Sequence, residues 1–304
     1  MTSPAPSAAS QSAKPSGLAP ALGAYLIWGF LPLYLMLVKS VPPFEFVAWR
    51  IIWTLPLCLL IVAFRRQFGE LLGALKSPRS LLALLASSVL IAVNWFVYIW
   101  AIMAGEVYAT SIGYYLNPLV NVLLGTLVLG EKLSRRQWIA VAIAAVAVAL
   151  LAAGALTSLW ISLCLGVSFA LYGLVRKQVQ VGSLPGLTIE SAILLPVAGG
   201  IALWYAASPA GSAFGQDAGL SALIVFSGVV TAVPLLLFAI AARRMDYSTL
   251  GFLQYIAPTI VFFLGLFVFE QPLAPVKLIS FVLIWIAVAI FASDLWAKRK
   301  AASA

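Results

Sequence analysis

The chain has 304 residues, of which 63% are hydrophobic and 9% are charged, against roughly 25% charged residues in an average soluble domain. A chain of this composition cannot cover itself with polar surface in water, which excludes a soluble globular fold. The formal net charge of +9 would suit a nucleic-acid partner, but the basic residues lie between apolar segments and form no single patch.

The chain begins with a Pro-, Ser- and Ala-rich tail (residues 1–17) that has no apolar core. This composition predicts a disordered cytoplasmic segment and not a signal peptide. Apolar segments of about twenty residues follow with short connections, and each is long enough to cross a hydrocarbon core of ~30 Å. We therefore predict an all-α membrane protein with ten transmembrane helices, at 18–38, 44–64, 80–103, 107–129, 137–153, 157–175, 186–206, 220–242, 247–269 and 275–296.

The basic residues indicate how these helices are oriented. With the N-terminus in the cytoplasm, fifteen Lys and Arg residues lie in or beside the inner connections and two lie outside, while Arg50 lies within a span. Cytoplasmic connections of membrane proteins carry such an excess of Lys and Arg. Both termini are therefore predicted to be cytoplasmic, and the positive charge reflects topology, with no nucleic-acid partner.

Several kinds of chemistry have no residues to support them. Cys58 and Cys164 each stand alone in an apolar segment, the chain has no His, and no phosphate-binding Gly-rich motif occurs. These features predict no disulfide, no metal site and no cofactor. Neither paired acids nor a Ser/His dyad is available for hydrolysis, so we expect the protein not to be an enzyme.

Two segments that lie 140 residues apart resemble each other. GYYLNPLVNVLLGTLVLGEKL (113–133) aligns with LQYIAPTIVFFLGLFVFEQPL (253–273), which places Pro118 on Pro258 and Tyr115 on Tyr255, with a Glu near each end. An odd number of spans in each half makes the second half cross the bilayer in the opposite sense. We predict two inverted five-helix repeats around a central cavity (18–154 and 155–297), followed by a basic tail (298–304). Alternatively, the two segments are alike only in their apolar composition.

Pro118 and Pro258 predict helix breaks. Proline cannot donate a hydrogen bond to the carbonyl four residues earlier, so these residues free the carbonyls of Tyr114 and Gln254. In lipid, a freed carbonyl needs a partner, which favours positions that face protein or a cavity. The alternative is that the prolines only shape helix packing.

Polar and aromatic side chains accompany these prolines. Asn94 and Tyr98 share a face of the third span, and Tyr114 and Pro118 share a face of the fourth. With Gln254 of the ninth span, these side chains are predicted to line a central cavity, where aromatic rings hold a cation or an apolar group. The alternative is that Asn and Tyr bridge helices and that Trp residues anchor the membrane interface.

Two charged residues, Arg50 and Glu190, lie inside spans, where an ionisable group is a functional candidate. Their positions place them ~9 Å and ~7 Å deep from opposite faces at 1.5 Å per residue. In a core of ~30 Å about 14 Å would separate them, too far for a salt bridge. We expect local partners and either a gate that opens during transport or static pairs: Glu45, Glu106 or Glu270 for Arg50, and Arg243 or Arg176 for Glu190.

Other features have structural interpretations. Ser134-Arg-Arg-Gln137 is a capping box that begins the fifth span, and Glu131 and Glu270 are expected to serve the helices that follow them. The Ala-rich segment 140–153 predicts close helix packing, either within the monomer or across a dimer.

Four segments together resemble a known family: AWRIIW (48–53), NWFVYIWA (94–101), SIGYYLNPLVNVLLG (111–125) and STLGFLQYIAPT (248–259). They are similar to the RarD-like branch of the EamA family, in the drug/metabolite transporter superfamily, and the likeness runs along nearly the whole chain. The resemblance implies ten helices in two inverted repeats and export of amino acids or related metabolites. The most family-like positions are Arg50, Asn94, Trp95, Tyr98, Tyr114, Asn117, Gln254 and Tyr255. Ala109 departs from the family, which usually has Glu at this position.

We therefore expect a multi-pass transporter of the bacterial inner membrane that exports amino acids or similar amphipathic metabolites by alternating access. Without a nucleotide-binding motif, its energy must come from gradients, and protons are the candidate coupling ion. The freed carbonyls of residues 114 and 254, with the Asn94 and Gln254 amides, would hold the polar end of a zwitterion. The alternatives are a drug or other metabolite permease, or a receptor or scaffold without transport. The sequence leaves the substrate and the oligomeric state open.

Overall fold

A computed structural model of the protein describes residues 16–153, 156–270 and 274–303. Within these ranges the regular secondary structure is helical, without strands. The α-helices are α1 (Leu18–Leu37), α2 (Pro43–Phe64), α3 (Phe68–Leu75), α4 (Pro78–Met103), α5 (Val107–Leu127), α6 (Arg135–Ala152), α7 (Leu159–Gln178), α8 (Ser183–Ala207), α9 (Ala218–Arg244), α10 (Tyr247–Gln254), α11 (Ile256–Phe267) and α12 (Pro275–Ser303).

In the part of the chain that the structure describes, nine helical segments are long and apolar enough to cross a membrane, with α10 and α11 counted together. The prediction of an all-α membrane protein is thus confirmed. The 21-residue α5 coincides with the predicted fourth span but is not one of the nine. Its polar content, which includes Asn117 and Asn121, lowers its hydropathy.

The short helix α3 was not predicted from the sequence. Its eight residues bury Leu71 and Ala74, and the Glu70 carboxylate accepts a 2.6 Å hydrogen bond from the backbone N–H of Gly182. This contact joins the α2–α4 connection to the α7–α8 connection. The helix is too short for a span, and it lies in a segment that the hydropathy pattern assigned to a connection.

The long helices pack in a regular set of pairs. α5 contacts α7 and α10, α4 contacts α7, α1 contacts α9 and α11, and α2 contacts both α8 and α9. The Ala-rich helix α6 packs on α12, and Ala140, Ala144 and Ala147 are fully buried. The close packing predicted for this helix therefore occurs within the monomer.

The two prolines of the similar segments differ in their effect. The ninth span is divided at Tyr255, whose N–H bonds the carbonyl of Phe252, three residues earlier, and Pro258 is the third residue of α11. A proline is tolerated there because the first N–H groups of a helix have no internal acceptor. Pro118 instead lies inside α5, where it has no N–H to donate to the Tyr114 carbonyl.

The predicted capping box at the start of α6 is present. The Ser134 hydroxyl accepts from the Gln137 N–H at 3.2 Å, and the Ser134 N–H donates to Gln137 Oε1 at 2.8 Å. Two N–H groups that the helix itself cannot satisfy thereby gain acceptors, which fixes where α6 begins.

Candidate substrate site

A narrow cavity lies between five helices, α2, α4, α7, α8 and α9. It is partly open, and only about 10 Å³ of its space can hold the centre of a water molecule, roughly what one water requires. Its wall is Ile51, Thr54, Ile91, Trp95, Tyr172, Leu187, Glu190, Ser191, Leu194, Thr231 and Leu235. Apolar surface dominates, with a few hydroxyl groups and one carboxylate, the composition typical of a small-molecule site.

The cavity wall is arranged in pairs of positions separated by 140 residues. The pairs are 51 and 191, 54 and 194, 91 and 231, and 95 and 235. Arg50 and Glu190 have the same separation. The two halves of the chain thus contribute matching positions with different side chains.

Arg50 lies against two residues of this wall. Its Nε donates to Thr231 Oγ1 at 2.9 Å, and its Cζ is 4.7 Å from the centroid of the Trp95 ring, a cation–π geometry. Among the described residues, its terminal nitrogens have no hydrogen-bond acceptor, and no carboxylate lies within ion-pair distance.

The prediction of a carboxylate partner for Arg50 is therefore wrong. The Glu45 carboxylate accepts from the Trp49 indole at 3.1 Å, the Ser212 hydroxyl at 2.5 Å and the Ala213 N–H at 2.9 Å. Five residues separate Glu45 from Arg50, which places them about 140° apart around α2. Glu106 instead accepts from Ser158, and Glu270 forms no ion pair in the described part of the chain.

The predicted partner of Glu190 is confirmed. Arg176 Nη1 lies 3.6 Å from Glu190 Oε1, and both side chains are almost fully buried. The Ser87 hydroxyl donates to the same carboxylate, and the Tyr172 hydroxyl lies 3.5 Å from its other oxygen. Arg243, the other candidate, donates to the Val181 carbonyl. Within the described residues, Arg50 and Glu190 form no ion pair with each other, as their separation predicted.

The Asn and Gln side chains of the predicted site bridge helices in this conformation. Asn94 donates to the Leu165 carbonyl at 2.9 Å and to Ser168 Oγ at 3.0 Å. Asn117 donates to the Gly166 carbonyl at 2.7 Å. Gln254 accepts from Asn121 at 3.1 Å, and all of these amides are buried. Their arrangement is the one that the helix-bridging interpretation predicted.

The predicted aromatic residues lie in three places. Trp95 lines the cavity. The ring centroids of Tyr98 and Tyr114 lie 6.0 Å apart, and Tyr114 is 44% exposed. Tyr255 is buried, and its hydroxyl donates to the Tyr115 carbonyl.

Sequence analysis missed the small hydroxyl residues of the wall, Thr54, Ser191 and Thr231. Ser and Thr are common in membrane helices, where they bond to backbone carbonyls, as Thr54 does to the Arg50 carbonyl at 2.7 Å. Nothing in the sequence distinguishes these three from the other Ser and Thr residues of the predicted spans.

Comparison with known proteins identifies the family. The model of the EamA-like transporter family matches residues 15–153. The RarD protein of Escherichia coli (strain K12) is 41% identical over 286 residues, which cover 91% of this chain and 94% of that protein. An uncharacterized transporter of Bacillus subtilis (strain 168), YojE, is 42% identical over 272 residues, covering 88% and 90%.

A more distant relative is the chloramphenicol-sensitive protein RarD of Pseudomonas aeruginosa, which is 28% identical over 289 residues, covering 91% of this chain and 94% of that protein. One solved crystal structure superposes with a TM-score of 0.70 at 21% identity, over 90% of this chain and 96% of that one, and supports the fold alone. Because relatives above 40% identity span nearly the whole chain, the protein belongs to the RarD-like branch of the EamA family, in the drug/metabolite transporter superfamily.

Proposed function

We propose that the protein is a secondary transporter of the bacterial inner membrane that exports amino acids or related small amphipathic metabolites by alternating access. The observation that carries this proposal is a cavity between the two halves of a transporter-family chain, lined by aromatic, hydroxyl and carboxylate groups. The narrowness of the cavity suits an occluded conformation, which must open to admit a substrate.

The proposed architecture is ten spans in two inverted five-helix repeats, residues 18–154 and 155–297, with α5 as the tenth span and both termini cytoplasmic. The helix pairs support it, because exchanging the halves maps α4–α7 onto α1–α9 and α5–α7 onto α1–α11. Gly130 and Glu270, which are 140 residues apart, both have positive φ, 69° and 50°. The family match over residues 15–153 is also consistent with a unit of this length.

Arg50 and Glu190 would act as gate or coupling residues in such a cycle. Glu190 combines burial, an Arg partner and a place on the cavity wall, so its contacts would change whenever α8 moves relative to α7. The competing role is a static pair that fixes the register of α7 and α8.

The predicted binding residues Asn94, Tyr98, Tyr114, Asn117, Gln254 and Tyr255 would contact substrate only after a change of state. Their amides currently hold α4 and α5 against α7 and α10. Such contacts lie at the helix boundaries that a rocking motion of the halves would shear, and Trp95 is already on the cavity wall.

The test is transport by purified protein in liposomes, with each of the twenty labelled amino acids and with and without a pH gradient. We expect protein-dependent uptake or efflux of at least one amino acid. Faster transport in the presence of the pH gradient would support proton coupling, and a transport rate that is independent of the gradient would support facilitated exchange. The absence of flux for every amino acid, with protein verified as folded and inserted, would contradict the proposed substrate class.

A further inference from the structure

The Arg50 guanidinium is a charge without a counter-ion at the edge of the cavity. Among the described residues, Nε has Thr231 as its acceptor and the terminal nitrogens have none. An unpaired charge inside a membrane protein is costly, and the ring of Trp95 compensates it only in part. The charge therefore favours an anion from outside the chain.

The geometry also suits a carboxylate. A guanidinium presents its N–H groups as a planar fork that matches two carboxylate oxygens. Thr231 and Trp95 hold the side chain by Nε and by one face, which leaves the terminal nitrogens free for that fork. Thr231 and Trp95 both belong to the cavity wall, so an anion bound to Arg50 would lie where a substrate lies.

The other charges around the cavity do not neutralise Arg50. Glu190 is paired with Arg176 and receives Ser87 and Tyr172. Glu45 is on another face of α2 and holds Ser212 and Ala213. The Arg50 end of the cavity is therefore electropositive, whereas the Glu190 end carries a compensated pair.

We propose that Arg50, oriented by Thr231 and Trp95, binds the carboxylate of the transported molecule, so that the substrate class is carboxylate-bearing amphipathic metabolites. This inference rests on the proposed transport function and names a binding subsite within it. It replaces the role of Arg50 as one half of a protein ion pair. Neutral or purely cationic compounds would lack the group that Arg50 selects.

The first experiment does not need the substrate. A protein with Cys58→Ala, Cys164→Ser and Ile51→Cys carries a single thiol on the cavity wall, one residue from Arg50. The rate of its modification is measured with an anionic sulfonatoethyl methanethiosulfonate and with its cationic trimethylammonium counterpart. The anionic-to-cationic rate ratio should fall about tenfold in Arg50→Gln, since a unit charge nearby acts strongly at reduced dielectric, and Arg50→Lys should largely retain it.

A ratio that is the same for Arg, Lys and Gln at position 50, or a thiol that neither reagent reaches, would overturn the anion site.

The second experiment uses liposomes and any amino acid that the native protein transports, with its amide as a matched competitor. Inhibition by the free acid at least about tenfold more potent than by the amide is expected, and this preference should vanish in Arg50→Gln. Equal inhibition by the acid and the amide would refute the carboxylate subsite and leave the transport proposal intact. If the protein transports no amino acid, the transport proposal is refuted, and the ratio of thiol modification rates alone decides whether Arg50 forms an anion site.

Discussion

The Tyr255 hydroxyl donates a 3.2 Å hydrogen bond to the main-chain carbonyl of Tyr115, and these two tyrosines are separated by the 140-residue offset of the similar segments. The bond joins α5 to the residue at which the ninth span is divided. It therefore links one predicted repeat to the residue that separates α10 from α11 in the other.

Removing this hydroxyl should loosen the contact between the two halves. Tyr255→Phe keeps the buried ring and deletes the donor, and we expect a loss of about 0.5–1.5 kcal/mol of stability, the usual net value of such a bond. Thermal unfolding in detergent measures it. Tyr205→Phe is the control, because the Tyr205 hydroxyl has no hydrogen bond among the described residues, and an equal effect of both changes would contradict the role of the bond.

Arg176 and Glu190 form a buried ion pair, so removal of either side chain should leave the other charge unpaired. Arg176→Met should destabilise the protein by about 3–5 kcal/mol, because it leaves a buried carboxylate without its counter-ion. The double variant with Glu190→Met should recover most of that loss. A double-mutant cycle from denaturant titrations measures the coupling, and additive losses would show that the two side chains act independently.

Gly186 makes room for the same arginine. A Cβ at this position would clash with Arg176 Nη1, whereas nothing lies within 4 Å of a Cβ at Gly200 on the same helix. Gly186→Ala should therefore lower the melting temperature by displacing the guanidinium from Glu190, and Gly200→Ala should leave it unchanged or raise it slightly. Equal melting temperatures for the two variants would show that Arg176 adapts without loss.

Glu131 caps α10 and not α6, the helix that follows it, so the prediction that it serves the next helix is wrong. Its carboxylate accepts from the backbone N–H groups of Tyr247 and Ser248 and from the Ser248 hydroxyl, at 2.5–2.8 Å. Glu131→Ala should cost about 0.5–2 kcal/mol, as the loss of a helix N-cap does, and hydrogen exchange at the start of α10 should accelerate. Glu131→Gln, which keeps an acceptor, is the matched control, and slow exchange in the Ala variant would refute the cap.

Glu45 holds the connection between α8 and α9. It accepts from Ser212 and Ala213, and the Phe214 ring lies 4.4 Å from that of Trp49. Glu45→Ala should increase hydrogen exchange across residues 208–217 without unfolding the helices. Glu106→Ala removes a carboxylate that bonds elsewhere, to Ser158, and should leave that exchange unchanged.

The sequence predicted some of these contacts, because a residue's position along a spanning helix gives its depth in the membrane and so limits which charged residues can meet it. Arg176 was one of two predicted partners of Glu190, because the predicted topology places both residues near the same membrane face. The predicted carboxylate partner of Arg50 was wrong because Glu45, at a suitable depth, lies on another face of α2 and bonds to Trp49, Ser212 and Ala213 instead. Spacing placed Asn94 and Gln254 on polar faces but could not say which neighbouring helix each faces. We therefore predicted cavity lining without seeing the helix-bridging hydrogen bonds that both amides make in this conformation. The helix α3 was not predicted because its eight residues are too few to show a clear helical periodicity of apolar residues.

The cavity wall contains pairs of positions that lie 140 residues apart in the sequence but carry chemically different side chains. Residues 50 and 190 correspond by sequence offset, yet one carries a guanidinium and the other a carboxylate, and Trp95 corresponds to Leu235. Shape related by a twofold axis would let the same backbone rearrangement open either side of the membrane. In the proposed transport cycle a dipolar substrate would keep one alignment, with its anionic end toward Arg50, whichever side of the membrane is open, and the gradient would set the direction of net transport.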